Sequence, residues 1–83
     1  MMAVTPRGLD VLRAIIRIQQ RTGWMPAVRE IGADLGLSSP ATVHHHMFRL
    51  ERDGLIERRG RGDDAYRVTD LGRVVAGVTE LVA

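Results

Sequence analysis

The chain has 83 residues, 45% of them hydrophobic, and its 12 basic and 10 acidic residues leave a net charge of +2, which suits one small domain with a modest core. It contains no cysteine and every basic residue is arginine, which excludes disulfides, thiolate zinc sites and lysine-dependent catalysis, so we expect no enzymatic activity and no cofactor. No long apolar run and no basic-then-apolar N-terminus is present, and we expect a cytoplasmic protein without membrane contact.

The first predicted helix runs from Pro6 to about Thr22. Thr5 is suited to the N-cap, Pro6 to the first helical position and Gly23 to the stop. Its apolar stripe at helical spacing comprises Val11, Leu12, Ala14, Ile15, Ile16 and Ile18. This pattern predicts the scaffold helix of the domain.

Arginines recur every four residues on another face of this helix, at Arg13, Arg17 and Arg21. Charge runs on helices are most often solvated, so we favour a solvent-exposed face. A second nucleic-acid surface is the alternative interpretation.

A second, shorter helix is predicted between Pro26 and Gly36, and a third between Ser38 and Gly54. The second turns Val28, Ile31 and Leu35 inward, and Gly36 begins a tight turn. Ser38 or Ser39 suits the N-cap of the third helix, Pro40 its first position and Gly54 a left-handed C-terminal position. Two short helices joined by such a turn predict a helix-turn-helix.

The third helix has one apolar face and one open polar, cationic face. Val43, Met47 and Leu50 repeat at the spacing of one face. The side chains that point elsewhere are Ala41, Thr42, His44, His45, Phe48, Arg49 and Arg52. The open face favours a helix that reads DNA, and an ordinary helical hairpin is the alternative.

Three consecutive histidines, His44 to His46, occur in the third helix. Successive helical residues lie about 100° apart, so three in a row cannot converge on one metal ion, and we expect no metal site. We expect His46 to pack at the edge of the core, and His44 and His45 to contact bases or phosphates. Phe48 suits a thymine or sugar contact, a partner contact or an isolated surface aromatic.

A β-hairpin is predicted after the helices, with strands Leu55–Arg59 and Ala65–Thr69. The spacer 60–64 consists of turn-forming Gly and Asp with one Arg. A hairpin directly after a reading helix is a wing, from which Arg58, Arg59 and Arg61 can reach phosphates or the minor groove. The alternative is a solubilising turn, and Asp63 and Asp64 favour phosphate contact over deep groove insertion.

The fold class predicted from these elements is mainly α with a small β-hairpin: a three-helix winged helix-turn-helix over residues 1–69 and an amphipathic tail over 70–83. Thr69 suits an N-cap and the apolar spacing of the tail favours a helix. Glycines and valines lower its helix propensity, so an extended tail is the alternative. A predicted homodimerisation surface comprises Leu71, Val74, Val75, Val78 and Leu81.

The motifs V28REIG32, L35GLSS39, T42VH44, R49LE51 and D53GLI56, together with His46, resemble the N-terminal DNA-binding domain of LexA-type SOS repressors. The resemblance implies that the third helix enters the major groove of double-stranded DNA. The residues it places at bases are Ser39, Ala41, Thr42, His44 and His45, and those it places near phosphates are Thr5, Arg7 and Arg29. We complete the phosphate set with Ser38, Arg49, Arg59 and Arg61.

A full LexA-type repressor continues into a peptidase domain with a Ser-Lys dyad, which this lysine-free chain cannot form. We therefore expect a stand-alone, nucleoid-associated DNA-binding domain without self-cleavage. The segment Gly72–Gly77 also resembles the extended cleavage segment of these repressors, with Ala76-Gly77 at its bond.

Two functions follow from the sequence. The first is a sequence-specific transcription regulator, a repressor that occupies an operator. The second is a protein-interaction module, or a decoy that acts on a LexA-type repressor or another regulator. A steep salt dependence of binding to duplex DNA distinguishes the first from the second.

Overall fold

A computed structural model describes residues 4–61 and 66–77 of the chain. Its elements, in order, are α1 (Pro6–Thr22), α2 (Val28–Leu35), α3 (Pro40–Arg52), β1 (Ile56–Arg58), β2 (Tyr66–Val68) and α4 (Asp70–Ala76). Within these residues the mainly α fold with a small hairpin is confirmed. Three helices followed by an antiparallel hairpin form a winged helix-turn-helix.

α1 has the predicted bounds because both of its ends are capped. The Thr5 hydroxyl accepts a hydrogen bond from the Gly8 amide at 3.0 Å, and Gly23 adopts a left-handed φ of 83° that ends the helix. The predicted apolar stripe is buried in full. α1 therefore forms one wall of the core, against which α2, α3 and α4 pack.

α2 begins at Val28, two residues later than predicted. The backbone at Ala27 is extended, and its amide donates a hydrogen bond to the Glu30 carboxylate at 2.9 Å. This bond fixes Ala27 as the N-cap and leaves Pro26 outside the helix. At the other end Gly36 has a left-handed φ of 71° and opens the turn, as predicted.

The turn between α2 and α3 packs tightly on α2 at Gly32. The Leu37 amide donates to the Gly32 carbonyl at 2.8 Å, and a Cβ added at Gly32 would lie 2.9 Å from the Leu37 carbonyl oxygen. Only glycine permits this approach, so Gly32 fixes the angle at which the chain enters α3.

α3 is held to the core by Val43, Met47 and Leu50, which are buried as predicted. Ser39 is its N-cap residue, although its hydroxyl makes no capping hydrogen bond. Asp53 is the C-cap and Gly54 follows with φ of 80°. The buried row fixes which side of α3 faces outward.

The hairpin strands have three residues each, shorter than predicted, and pair in register Ile56↔Val68 to Arg58↔Tyr66. The residues that flank the strands form hydrogen bonds outside the hairpin. The Leu55 amide donates to the Leu50 carbonyl at 2.9 Å, and the Thr69 hydroxyl caps the N-terminus of α4. Positions 62–65, including Asp63 and Asp64, lie outside the described residues.

The tail is helical over Asp70–Ala76, the favoured of the two alternatives. The Thr69 hydroxyl accepts from the Gly72 amide at 3.0 Å, and Gly77 ends the helix with φ of 82°. Its inner face is Gly72 and Ala76. None of the helices in the described ranges is long and apolar enough to cross a membrane.

The predicted apolar stripe of the tail runs along the side of α4. Val75 packs against the core, whereas Leu71 and Val74 are 44% and 58% exposed. Val78 and Leu81, the other two predicted dimerisation residues, lie outside the described residues.

Candidate nucleic-acid interface

All five predicted base-reading residues are exposed on or just before α3. They are Ser39, Ala41, Thr42, His44 and His45. At about 100° per residue, Ala41 and His45 lie opposite the buried Val43, with Thr42 towards one side of α3 and His44 towards the other. Phe48, 63% exposed, extends the central row. The outer face of α3 is thus open along most of its length.

The side of α3 that carries Arg49 lies against the N-terminus of α1. Thr5 and Arg49 line one cleft together with His46, and the charge of Arg7 acts on the same histidine. Two predicted phosphate residues, Thr5 and Arg49, therefore meet at one edge of α3, and the charge of Arg7 reaches the same edge, although α1 and α3 are distant in sequence. The ion pair of Arg7 with Asp10, at 3.4 Å, has both side chains about half exposed and opposes phosphate binding only weakly.

A second cleft, at the start of α3, brings Arg29 and Ser38 together. Pro40 and Val43 of α3 line it with them, as does Gly32 of α2. Arg29 is exposed in the first turn of α2 and forms no ion pair within the described ranges. Its guanidinium and the Ser38 hydroxyl are thus available to an anion beside the N-terminus of α3.

The wing is joined to the other side of α3 through Tyr66. The Tyr66 hydroxyl donates to the Glu51 carboxylate at 3.3 Å and accepts from the Arg58 guanidinium at 2.7 Å. Arg58 also lies 4.5 Å from the centre of the Tyr66 ring, as in a cation-π contact. Tyr66 was not identified from the sequence as a residue that positions the wing. It could have been found as the single tyrosine of the chain, placed opposite Arg58 in the hairpin.

The predicted wing phosphate residues, Arg59 and Arg61, are both exposed. Arg59 lies 3.9 Å from Glu57, at the outer limit of an ion pair, and Glu57 is closer to Arg67, at 3.1 Å. Arg61 has no carboxylate partner among the described residues. The wing therefore presents two arginines on the Glu51 side of α3.

His46 lies at the core edge, as predicted. Its Nδ1 atom is buried and has no hydrogen-bond partner within the described residues. Burial lowers the pKa of His46 below its ordinary value of 6.5, and the neighbouring His45, Arg49 and Arg7 lower it further. No group of three or more His, Asp or Glu side chains in the described ranges is placed to hold a metal ion.

Two arginines of the predicted solvated face of α1 make internal contacts. Arg13 donates to the Ala76 carbonyl at 3.2 Å, and Arg17 pairs with Asp34. These contacts tie α4 and α2 to α1, so they favour a structural role over a second nucleic-acid surface.

An exposed third helix with an arginine-bearing wing on one side and an arginine-bearing helix N-terminus on the other is typical of the winged helix-turn-helix class. Residues 1–62 match the family model described as the LexA DNA-binding domain. The chain belongs to this family.

Several LexA repressors are similar to the chain. That of Bacillus velezensis is 44% identical over 82 residues, covering 99% of this chain and 40% of the repressor. Those of Pediococcus pentosaceus and Bacillus subtilis are 39% and 43% identical, covering 93% and 84% of this chain but 37% and 34% of their own lengths. The chain thus spans little more than a third of these relatives.

Proposed function

We propose that this chain is a sequence-specific double-stranded DNA-binding regulator, a repressor that reads its operator with α3 in the major groove. The observation that carries the proposal is the open outer face of α3, fixed in orientation by a buried row and bordered by arginines. The similarity to LexA repressors supports the same conclusion.

The side chains of α3 suit base recognition. The hydroxyls of Ser39 and Thr42 and the rings of His44 and His45 can donate or accept hydrogen bonds at base edges. The Ala41 methyl suits a thymine methyl group. The major groove, about 12 Å wide, admits one helix.

The arginines around α3 suit the DNA backbone. Phosphates lie along both margins of the major groove, so contacts are needed on both sides of a reading helix. Arg7 and Arg49 supply cations on one side, and Arg59 and Arg61 on the other, while Arg29 and Ser38 lie at the start of α3. These contacts set the register of the protein on the duplex without selecting its sequence.

Selection of bound sites from a random pool of duplex DNA tests the proposal. We expect an enriched motif, with binding that weakens steeply as salt increases. Failure to enrich any motif, together with an absence of salt-sensitive binding to random duplex, would contradict it.

We also propose that two copies bind one operator through the outer side of α4. A single small module buries little DNA surface, and regulators of this class gain affinity by placing two reading helices on a palindrome. Leu71 and Val74 are exposed apolar side chains that a second copy can cover. Val75 contributes to the core and is less accessible.

A second candidate function is an interaction module that acts on a LexA-type repressor or another regulator through its tail. The similarity to the Bacillus velezensis repressor favours it, because that similarity covers 82 residues and so extends beyond the first 62. The structure of the tail opposes it. Ala76 is buried, and its carbonyl accepts a hydrogen bond from Arg13, so the Ala76-Gly77 bond is not presented in an extended segment.

A further inference from the structure

Four cationic or titratable side chains from two helices converge where the N-terminus of α1 meets α3. Burial lowers the pKa of His46, and the charges of His45, Arg49 and Arg7 lower it further. The rings of His45 and His46 are 5.9 Å apart, and His46 and Arg49 line a common cleft with Thr5 of α1. We call these four residues, Arg7, His45, His46 and Arg49, the α1–α3 Arg–His cluster.

Two carboxylates near the cluster are paired with arginines, one of them with Arg7 of the cluster itself. Asp53 lines the same cleft as His46 but lies 3.5 Å from Arg52, and Asp10 lies 3.4 Å from Arg7. The neighbouring charges of His45, Arg49 and Arg7 nevertheless all lower the pKa of His46, and its Nδ1 atom is buried without a partner among the described residues. In the absence of a ligand these surroundings favour the neutral imidazole.

We propose that DNA binding by this chain is coupled to the uptake of one proton by the His46 imidazole. The inference rests on the proposed function and extends it, because His46 is not among the residues that contact DNA in that proposal. A duplex phosphate held by Arg7 and Arg49 adds negative charge beside the ring and offsets the repulsion within the cluster. The proton comes from solvent and forms an N–H bond on the unprotonated ring nitrogen; no other bond changes.

The direction of the effect follows from linkage. If DNA raises the proton affinity of His46, protonation of His46 must raise the affinity for DNA by the same factor. In the free protein the pKa of His46 lies below 6.5. The coupling therefore operates in the pH window between this lowered pKa and the higher pKa of His46 in the complex. DNA binding therefore tightens as the pH falls through this window.

His44 and His45 are also at the proposed interface, so a pH dependence of binding does not by itself identify His46. Both are exposed, whereas His46 is partly buried. The test must therefore follow each ring separately.

Nuclear magnetic resonance of the histidine rings is the decisive experiment. The three rings are titrated between about pH 5 and 8 in the free protein and in complex with a mixed-sequence duplex of about two helical turns, at low salt. We expect the pKa of His46 to rise in the complex. A complex that forms while the His46 titration stays unchanged overturns the coupling but leaves the proposed function intact. If no resonance responds to DNA at any pH, the proposed function fails, and the coupling with it.

Affinity measurements supply a second, independent readout. For one coupled proton, the dissociation constant changes by up to about tenfold per pH unit within the window. We expect H46Q to lose that part of the pH dependence, while R21Q, a change at the opposite end of α1, retains the wild-type dependence. Equal slopes of the logarithm of the dissociation constant against pH for wild type and H46Q would overturn the proposal. If H46Q does not fold, the ring titrations of the wild type decide.

Discussion

Gly72 of α4 lies directly against the carbonyl oxygen of Leu55, at the base of the wing. A Cβ added at Gly72 would overlap that oxygen and lie 2.9 Å from Cγ1 of Val68. The same Leu55 carbonyl accepts a hydrogen bond from the Thr69 amide at 3.1 Å. The tail is thus docked on the hairpin by backbone-to-backbone contact, for which glycine is required.

The first prediction is that G72A destabilises the domain. The clash is with backbone, which cannot move aside as a flexible side chain can, so the cost is that of overpacking, about 1 to 3 kcal/mol. Alanine gains at most about 1 kcal/mol in helix propensity. Urea unfolding should therefore show a lower midpoint for G72A than for wild type. R21A, an exposed change on α1, is the control, and equal midpoints for G72A and wild type would contradict the docking of Gly72 on Leu55.

The second prediction is that Y66F loosens the wing. It removes the hydroxyl shared by Glu51 and Arg58 but keeps the ring under Arg58. A hydrogen bond to a charged group contributes about 1.5 to 3 kcal/mol to stability when it is buried, and less where it is exposed as here. We expect faster amide hydrogen exchange in β1 and β2 than in wild type, with α1 unaffected. Unchanged exchange in the hairpin would show that Tyr66 does not position the wing.

Helix ends and faces were predictable from this sequence because they depend on local chemistry. The Thr-Pro pair at the N-terminus and the glycine at the C-terminus determined the bounds of α1. The spacing of Val43, Met47 and Leu50 determined which side of α3 is buried. The predicted outer face of α3 is therefore the exposed one.

Contacts between elements were not predictable from local patterns. The meeting of Thr5 and Arg49 in one cleft depends on how α1 packs on α3, and the inner face of α4 is set by the approach of Gly72 to Leu55. The apolar spacing of the tail predicted a helix but did not single out Gly72 and Ala76 as its inner face. Gly72 marks the inner face of α4, because two backbones can pack this closely only where one residue has no side chain.

The third prediction concerns base recognition by α3. Each good base contact discriminates by about 1 to 3 kcal/mol, so the double variant T42A/H45A should lose most of its preference for the selected site over random duplex. Weak, salt-sensitive binding to any duplex should remain, since the arginines are intact. Competition binding with selected and random duplexes measures the ratio. A variant as selective as wild type would show that α3 is not the reading helix.

The fourth prediction is that Arg7, Arg29 and Arg49 contact phosphates. R7A, R29A and R49A should each weaken binding to all sequences alike and reduce the slope of log affinity against log salt by about one. R21A removes the same charge about 21 Å along α1 from Arg7 and should leave the slope unchanged. If all three variants keep the wild-type slope, the DNA lies on another surface.

The fifth prediction is that the outer side of α4 mediates self-association. Leu71 and Val74 are exposed, and a second copy that covers them would bury apolar surface in a symmetric contact. V74E would place a charge in that contact, so the dimer should dissociate while the monomer keeps its fold, because Val74 does not contribute to the core. Sedimentation of wild type and V74E at micromolar concentration measures the state of each, and R67E, an exposed change on the wing, is the control. A monomeric wild type that also shows no cooperativity on a two-half-site operator would remove α4 as an interface and favour action through a different partner.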